Sequence, residues 1–315
     1  MPAVSAASSA RPLRIVIIGA GMAGILSAIK LRAAGYQDFV IYEKAARLGG
    51  TWRENTYPGI ACDVPAHLYT YSFEPNPDWS HVFAPGDEIQ RYFERVADKY
   101  GVTPWIRCGV EVQRCEFIDG RWQLQLGNGT TDAADIVIAA SGVLHHPNLH
   151  DIPGLDQFAG ARFHSAQWDH AVPLDGRRVG VIGTGSTAIQ ITSALAARAG
   201  RFTLFQRTAQ WIAPIENPPY SAEERAAFAR DPSLIEKLRR DIDKAAIEKI
   251  SNAVIDADSP VTDTRYRHMA IFPYPVELER ELRLKDGTLV RMRAIRPDDA
   301  ARGFTLTDHI AGRLE

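Results

Sequence analysis

Two glycine-rich motifs in this sequence have the residue types and the spacing to do chemistry. The first is G-x-G-x-x-G at Gly19, Gly21 and Gly24, directly after an apolar segment. Such a turn presents free backbone N–H groups at the start of a helix, where the helix dipole also favours negative charge. The first glycine permits the tight turn, the second lets a pyrophosphate approach the backbone, and the third allows close helix–strand packing. The motif therefore predicts that a dinucleotide binds here.

A second motif, G-x-G-x-x-A, repeats this arrangement at Gly183, Gly185 and Ala188. At the same distance along the chain, each motif is followed by a charged residue that ends the next apolar segment, Glu43 in the first case and Arg207 in the second. A carboxylate at this position suits a free ribose, whereas a guanidinium suits a 2′-phosphate. Two such sites in one chain suggest hydride transfer from NADPH at the second site to FAD at the first.

The periodicity of apolar residues predicts the elements that position these motifs. A strand, the glycine turn and a helix occupy residues 13–35, and a second strand ends at Glu43, which makes a βαβ unit with a parallel sheet. The same order recurs between residue 177 and Arg207. These patterns predict an α/β fold with two Rossmann-like dinucleotide-binding domains, one for FAD and one for NADP, and a helical insertion.

Between the two motifs, the spacing of apolar residues predicts a helix over 87–100, with Asp87 as its N-cap. Residues 111–129 have the pattern of a β-hairpin, and residues 133–142 that of a buried strand that ends in a Ser-Gly turn. The helix-forming sequence after Tyr220 is interrupted by the Asp-Pro pair at 231–232.

The predicted domain organisation has five parts. They are a disordered tail at 1–12, the FAD-binding domain at 13–150, a linker with the NADP-binding domain at 151–220, a helical segment at 221–258 and a divergent tail at 259–315. The divergent tail is compatible with an irregular hairpin, and it also faintly resembles the opening strands of N-acetyltransferase domains. Arg291, Arg293 and Arg296 are expected to be solvated strand charges there.

Composition narrows the classes of partner and site. Of the 315 residues, 36 are basic and 38 acidic, a net charge of −2 that gives no reason to expect nucleic acid or an acidic membrane surface as partner. The chain has no apolar run long enough to span a membrane and no apolar signal-peptide core at its start, so we expect a cytoplasmic protein. Cys62, Cys108 and Cys115 have no metal-ligand spacing, so no metal site is predicted. Disulfide reductases share the two-nucleotide plan, but the redox cysteine pair that they require is missing.

Two longer motifs carry a family resemblance. GGTWRENTYPGIACD at 49–63 fits G-x-W-x-x-x-x-Y-P-G-x-x-x-D, and FAGARFHSAQWD at 158–169 fits F-x-G-x-x-x-H-x-x-x-W-D. GTGSTAIQ at 183–190 and FQRTAQW at 205–211 have similar counterparts in the same family. Over residues 12–258, the sequence resembles the class B flavoprotein monooxygenases, specifically the Baeyer–Villiger monooxygenases.

The resemblance implies roles for the loop at 49–63. Trp52 and Tyr57 would offer flat packing surfaces near the flavin, and Asp63 would lie beside the reactive end of its ring. Besides the two glycine motifs, Glu43 and Arg207, the implied cofactor contacts are Gly50, Thr51, Trp52, Tyr57, Asp63, Ser186, Thr187, Gln190 and Thr208.

The resemblance also implies a function for the segment between the two glycine motifs. His164 and Trp168 match an interdomain linker that relays nicotinamide binding to the flavin, so Asp63, His164 and Trp168 form the implied catalytic set. On residue type alone, His164 is equally explained as a linker histidine satisfied by a backbone carbonyl. His145 and His146 are interpreted as loop residues and not as ligands.

The implied reaction uses FAD, NADPH and O2. One oxygen atom would enter a ketone, or pass to a soft heteroatom, by way of a flavin peroxide. Relatives stabilise the peroxide with an arginine from a downstream segment, and no counterpart of that segment follows Ala257. Two alternatives stay open: a nucleotide-binding relic that does not oxygenate, and an N-hydroxylating or sulfur-oxidising relative.

Overall fold

The computed structural model describes residues 11–149, 152–206 and 216–241, and the backbone of strands Glu279–Arg283 and Leu289–Arg293. Most of the predicted tail at 1–12, the predicted helix beyond residue 241, Arg207, Thr208 and Arg296 lie outside the described residues.

The chain divides into two compact units, which we describe separately. The first unit consists of Met1–Cys62, Tyr71–Glu74 and Ala84–Val172. The second unit consists of Asp63–Thr70, Pro75–Phe83 and Pro173–Glu315. The five-part division made from the sequence stays a prediction.

A four-stranded parallel sheet forms the centre of the first unit, with strand order β3-β2-β1-β7. Its strands are β1 (Ile15–Ile18), β2 (Phe39–Glu43), β3 (Ile106–Cys108) and β7 (Ile136–Ala139). Helix α1 (Met22–Ala33) connects β1 to β2, as the βαβ pattern predicts.

One face of this sheet is covered by helices. Helix α3 (Gly86–Lys99) buries Ile89, Phe93 and Val96, which share one side of the helix because they are spaced by four and three residues. The prediction that Asp87 is the N-cap of this helix is wrong. Pro85 occupies the N-cap position, and the Asp87 carboxylate accepts a hydrogen bond of 2.6 Å from Arg91 one turn further on.

The opposite face is covered by a three-stranded antiparallel sheet. It consists of β4 (Val112–Ile118), β5 (Arg121–Leu126) and β6 (Thr131–Ala134). The predicted hairpin is confirmed, since β4 and β5 pair around Asp119-Gly120, both with positive φ as a tight two-residue turn requires. Five buried residues join the two sheets in one apolar cluster: Val16, Val40, Leu124, Leu126 and Ala134.

A polar cluster fastens the antiparallel sheet to the parallel one. Asp132 on β6 accepts hydrogen bonds of 2.8 Å from both the Arg14 guanidinium and the Tyr42 hydroxyl. Burial raises the pKa of Tyr42 to about 12, and the hydrogen bond to Asp132 adds to this. Burial alone would raise the pKa of Asp132 as well, but the hydrogen bonds from Arg14 and Tyr42 outweigh it and hold the pKa of the carboxyl below its usual value.

Strand β7 is present where the sequence predicts a strand, but the prediction that it is buried is wrong. Ile136 is 40 % exposed and Ala139 is also exposed. Among the described strands, β7 pairs with β1 alone, so it forms an edge of the sheet. A continuous apolar run is typical of a central parallel strand, and the run itself does not reveal which side is covered.

The second unit contains the second βαβ element. Strand β8 (Arg178–Ile182), helix α4 (Ser186–Leu195) and strand β9 (Arg201–Phe205) follow in this order, and the two strands pair in parallel. Helix α5 (Ala222–Arg230) begins with a capping box, in which Ser221 and Glu224 satisfy each other's backbone N–H groups. The helix ends at the predicted Asp-Pro break, and residues 233–241 are helical again.

Within the divergent tail, the structure describes two strands only. Strands β10 (Glu279–Arg283) and β11 (Leu289–Arg293) pair antiparallel. This agrees with the hairpin alternative for the tail. Separately, no helix in the described part of the chain combines the length and the apolar character needed to cross a membrane.

Candidate nucleotide-binding sites

The first glycine turn requires glycine at two of its three motif positions. Gly19 has φ of +100°, and a Cβ there would lie 2.6 Å from the carbonyl oxygen of Ala140. A Cβ at Gly24 would lie 1.9 Å from the carbonyl oxygen of Gly19. Both distances are shorter than any real contact of a Cβ atom. The fold of the first unit therefore explains Gly19 and Gly24 without a ligand.

The middle glycine of the same turn has no such internal reason. Gly21 has φ of −82°, which any residue adopts. A Cβ there would have its nearest atom, Gly50 Cα, at 3.6 Å, an ordinary contact distance. Within the described structure, no contact therefore requires glycine at position 21. In dinucleotide-binding turns, the middle glycine is the one that lets a pyrophosphate approach the backbone.

The N-terminus of α1 is suited to an anion. Gly21 is the N-cap, no side chain caps the helix, and its first turn contains no acidic residue. The first backbone N–H groups of a helix have no partner within the helix, so they can donate to a phosphate. The residues present at this turn fit a dinucleotide phosphate.

Glu43 ends β2 beside this turn, as predicted, and it is buried. One carboxylate oxygen accepts a hydrogen bond of 2.8 Å from Ala20 N, and the other accepts one of 2.9 Å from Ala45 N. The second oxygen also lies 2.9 Å from the guanidinium of Arg53. Glu43 is therefore held in one orientation before any ligand is considered. Its contact with a ribose stays a prediction.

The loop that begins GGTW faces the glycine turn. Gly49 and Gly50 have φ of +130° and +55°, and a Cβ at Gly50 would lie 3.1 Å from the Cα of Gly21. Helix α2 (Thr51–Glu54) starts directly after them. The structure thus brings the two glycine-containing loops of the first unit into backbone contact.

The aromatic residues of this loop differ in exposure. Tyr57 is 7 % exposed and belongs to the core of the first unit, whereas Trp52 is partly exposed and Thr51 is exposed. Asp63 belongs to the second unit and is exposed. The cofactor contacts of Thr51, Trp52 and Tyr57 and the catalytic role of Asp63 stay predictions.

The second glycine turn has the same form with a more open surrounding. Gly183 has φ of +118°, and Gly185 is the N-cap of α4 with no side-chain cap and no acidic residue in the first turn. A Cβ at either glycine would meet none of the described atoms within 4 Å. Ala188, the third position of this motif, is buried.

The remaining predicted contacts of the second site are only partly described. Ser186 is exposed at the first turn of α4, and Thr187 and Gln190 are partly exposed on the same helix. Arg207 and Thr208 lie outside the described residues, so the expected 2′-phosphate contact stays a prediction.

The linker histidine has a local structural role. His164 is the N-cap of a short 3₁₀ helix, Ser165–Gln167, and its Nδ1 accepts a hydrogen bond of 3.1 Å from Ala166 N. Trp168 packs edge-on against Phe163 with ring centroids 5.0 Å apart. His164 is thus satisfied by a backbone amide, where residue type alone suggested a carbonyl. The catalytic roles of His164 and Trp168 stay predictions.

One set of contacts near the first site was missed by the sequence analysis. Arg53 lies between Glu43 and Glu54, and Glu54 contacts His145 from the loop after β7. Arg53 and Glu54 stand inside the GGTWRE segment, and two opposite charges in a loop otherwise rich in glycine and aromatic residues were the available signal. The partner, His145, is distant in sequence and had no such signal.

Comparison with known families gives a match over most of the chain. Residues 16–254 match the family described as pyridine nucleotide-disulphide oxidoreductase. The three cysteines of this chain are all free thiols, so the match rests on the nucleotide-binding segments and not on a redox disulfide.

Curated relatives include flavoprotein oxygenases. A Baeyer–Villiger monooxygenase of Streptomyces coelicolor is 46 % identical over 230 residues, which are 72 % of this chain and 44 % of that protein. An uncharacterized monooxygenase of Mycobacterium tuberculosis is 52 % identical over 220 residues, 70 % of this chain and 44 % of that protein. The chain thus spans less than half the length of these relatives.

Solved structures give the same result. Cyclohexanone monooxygenase from Rhodococcus sp. Phi1 bound to NADP+ is 36 % identical with a TM-score of 0.65, over 70 % of this chain and 43 % of that one. The complex of OTEMO with FAD and NADP is 34 % identical with a TM-score of 0.65, over 71 % and 44 %. The resemblance to Baeyer–Villiger monooxygenases and the α/β fold with two Rossmann-like domains are thereby confirmed.

Proposed function

Because this chain belongs to the pyridine nucleotide-disulphide oxidoreductase family, we propose that it binds FAD at the first glycine turn and NADPH at the second, as part of a flavin-dependent monooxygenase. Gly21 supports this assignment most directly. The fold explains Gly19 and Gly24 by internal contacts, whereas no contact in the described structure requires a glycine at position 21, which supports an external group close to the backbone there.

The residues at each turn have separable tasks. The N-terminus of α1 would hold the pyrophosphate of FAD, and Glu43 would accept a hydrogen bond from a ribose hydroxyl. The N-terminus of α4 would hold the pyrophosphate of NADPH, with Arg207 on the 2′-phosphate. Trp52 would exclude water from one side of the flavin, and Asp63 would act near its reactive end. Bound FAD, once reduced, supplies the activation of O2 that the protein side chains cannot provide.

The substrate follows from the fingerprint and from the names of relatives. FAGARFHSAQWD is of the Baeyer–Villiger type, one relative is named as a Baeyer–Villiger monooxygenase, and one solved neighbour is named for a ketone, cyclohexanone. We propose a small ketone as substrate, with a soft heteroatom as the second class. The proposal thus has a general part, a flavin-dependent monooxygenase, and a more specific part, oxygen insertion into a ketone.

The test is the visible spectrum of the purified chain before and after NADPH is added without oxygen. A flavin band that NADPH bleaches would support both binding sites. Oxygen and a panel of ketones, sulfides and amines would then identify the reaction, and oxidation of amines alone would contradict the Baeyer–Villiger assignment. Flavin that is reduced but yields no oxygenated product would favour the nucleotide-binding relic. A colourless chain that cannot be reconstituted with FAD would refute the proposal.

A further inference from the structure

A continuous row of four side chains runs from the end of β2 to the loop after β7. Arg53 Nη1 lies 2.9 Å from Glu43 Oε1, and Arg53 Nη2 lies 2.7 Å from Glu54 Oε1. Glu54 Oε2 lies 3.0 Å from Nδ1 of His145. We name these four residues, Glu43, Arg53, Glu54 and His145, the His145 row. All of them belong to the first unit.

The His145 row is shielded from solvent, so its contacts are stronger than those of surface pairs. The side chains of Glu43 and Arg53 are 6 % and 10 % exposed, and those of Glu54 and His145 are 21 % and 22 % exposed. Charged hydrogen bonds in such surroundings are less screened by water. An ionised carboxylate only accepts hydrogen bonds, so Nδ1 of His145 carries the proton in this contact.

Glu43 retains one acceptor position within the described structure. Its Oε1 accepts a hydrogen bond from Ala45 N and forms an ion pair with Arg53. In the described structure, its Oε2 accepts a hydrogen bond from Ala20 N alone. Each carboxylate oxygen can accept about two hydrogen bonds, so Oε2 can accept one more. Ala20 stands between Gly19 and Gly21, which puts this acceptor at the first glycine turn.

Arg53 adds a third contact to the two backbone contacts that orient the Glu43 carboxylate. Arg53 is itself held from two sides, by the carbonyl oxygen of Arg47 at 2.8 Å and by Glu54. Without an anchored Glu54, Arg53 Nη2 would lose a fixed partner, and the Glu43 carboxylate would be held firmly by its two backbone N–H partners alone. The side chain that anchors Glu54 from outside its own loop is His145.

We propose that His145 is a positioning residue for the nucleotide at the first glycine turn. By holding Glu54 it fixes Arg53, and thereby the direction in which Glu43 offers its remaining acceptor to a ribose hydroxyl. This inference rests on the proposed binding of FAD at the same turn. It gives a loop histidine a task in binding that is carried out through Glu54 and Arg53.

The experiment compares two ligands that differ only in the groups Glu43 would hold. ADP carries the adenosine ribose hydroxyls, and 2′,3′-dideoxy-ADP lacks both. Calorimetric titration of the 315-residue chain, freed of flavin, measures the affinity of each ligand for the wild type, His145→Ala, His145→Asn and the neighbouring control His146→Ala. Asparagine can place an amide N–H near the position of the imidazole Nδ1–H, so it should restore the contact.

We expect His145→Ala to weaken ADP binding about five- to ten-fold, the usual effect of losing one ordinary hydrogen bond, because His145 acts on Glu43 only through Glu54 and Arg53. Binding of dideoxy-ADP should not change, because that ligand has no hydroxyl for Glu43. His145→Asn should recover most of the loss, and His146→Ala should bind both ligands like the wild type.

Each other outcome overturns the inference in a recognisable way. Equal losses for both ligands would show that His145 supports the loop without orienting Glu43. Unchanged ADP binding in His145→Ala, with a wild type that binds FAD and ADP, would remove the positioning role alone. A wild type that binds neither FAD nor ADP would remove the proposed function at this turn, and the positioning role with it.

Discussion

At the first glycine turn a Cβ on Gly19 would lie 2.6 Å from Ala140 O, whereas at the second a Cβ on Gly183 would meet no described atom within 4 Å. The third positions of the two motifs, Gly24 and Ala188, also show tighter packing at the first turn. Gly24 packs so closely on Gly19 that a methyl group would collide at 1.9 Å, while the second unit has a methyl group at this place, on the buried Ala188. The same motif is thus embedded in one unit and open in the other.

A glycine in such a motif can be required by packing within the protein or by the approach of a ligand. The motif alone does not distinguish these two causes, but the comparison of the two turns does. At Gly19 and Gly24 the protein itself fills the space, so these residues serve folding. At Gly21 and Gly185 the backbone is extended and a methyl group would fit, so the described structure does not require glycine there, and the proposed ligand is the reason we assign to it. Substitutions at matched positions can test this separation.

The largest effect is expected for Gly24→Ala. The added methyl group would overlap the Gly19 carbonyl, and helix α1 would have to move away from β1, at a cost of about 3 kcal/mol or more. Urea unfolding followed by circular dichroism measures this loss. The matched change, Ala188→Gly, should cost only about 1 kcal/mol, the difference in helix propensity. Similar losses at both sites would contradict the proposed difference in packing.

Acid should destabilise the second unit before the first. His67 is 1 % exposed, and neither ring nitrogen has a hydrogen-bond partner within the described structure. Burial, with Arg239 adding to it, lowers the pKa of His67 to about 4 from its usual 6.5. Between these two values the unfolded chain binds a proton that the folded chain does not, so the unfolding free energy falls as the pH falls, by up to about 3 kcal/mol.

The first unit behaves differently because the pKa of Asp132 is held below its usual value. Its contribution to stability is present at neutral pH and is lost only as the pH drops below about 4. Hydrogen exchange read by mass spectrometry between pH 7 and 4.5 should show faster opening around His67 than around Asp132. His67→Phe should remove most of this pH dependence. If the variant keeps the wild-type slope, another group is responsible.

The first glycines of the two motifs should differ by a smaller amount. Alanine at Gly19 or Gly183 is strained by the positive φ, a cost of about 1–2 kcal/mol in both cases. Gly19→Ala should lose roughly 1 kcal/mol more, because its methyl group also collides with Ala140. Paired urea melts give the difference. Equal losses of unfolding free energy in Gly19→Ala and Gly183→Ala would mean that the backbone at Ala140 moves away from the added methyl group at little cost.

The smallest effect on stability is expected for Gly21→Ala and Gly185→Ala. Both positions have a permissive backbone and room for a methyl group, so the urea midpoint should stay within experimental error. Ligand affinity should respond instead: at least a roughly tenfold loss for FAD in the first variant and for NADPH in the second. If Gly21→Ala weakened NADPH binding and Gly185→Ala weakened FAD binding, the cofactor assignment would be reversed. If a variant bound its cofactor as the wild type does, the proposed binding at that turn would be wrong.

Local patterns predicted much of the architecture. The βαβ order, the hairpin at Asp119-Gly120 and the helix break at Asp231-Pro232 follow from apolar periodicity and turn chemistry, which act over a few residues. The errors have one common origin. Asp87 as N-cap and β7 as a buried strand were inferred from residue type, but a neighbour decides each of them. Arg91 donates to the Asp87 carboxylate, and β1 is the one strand that pairs with β7 among those the structure describes.

The sequence by itself determined where the two glycine turns stand, because a glycine turn between a strand and a helix is a local feature of the backbone. Only the tertiary structure decided which glycines the fold requires, since Ala140 meets Gly19 across 121 positions of chain. It also decided that His145, a loop residue by its sequence context, contacts Glu54 from a segment 91 positions away. Contacts of this kind depend on how the strands and loops pack, and residue type and spacing carry no record of them.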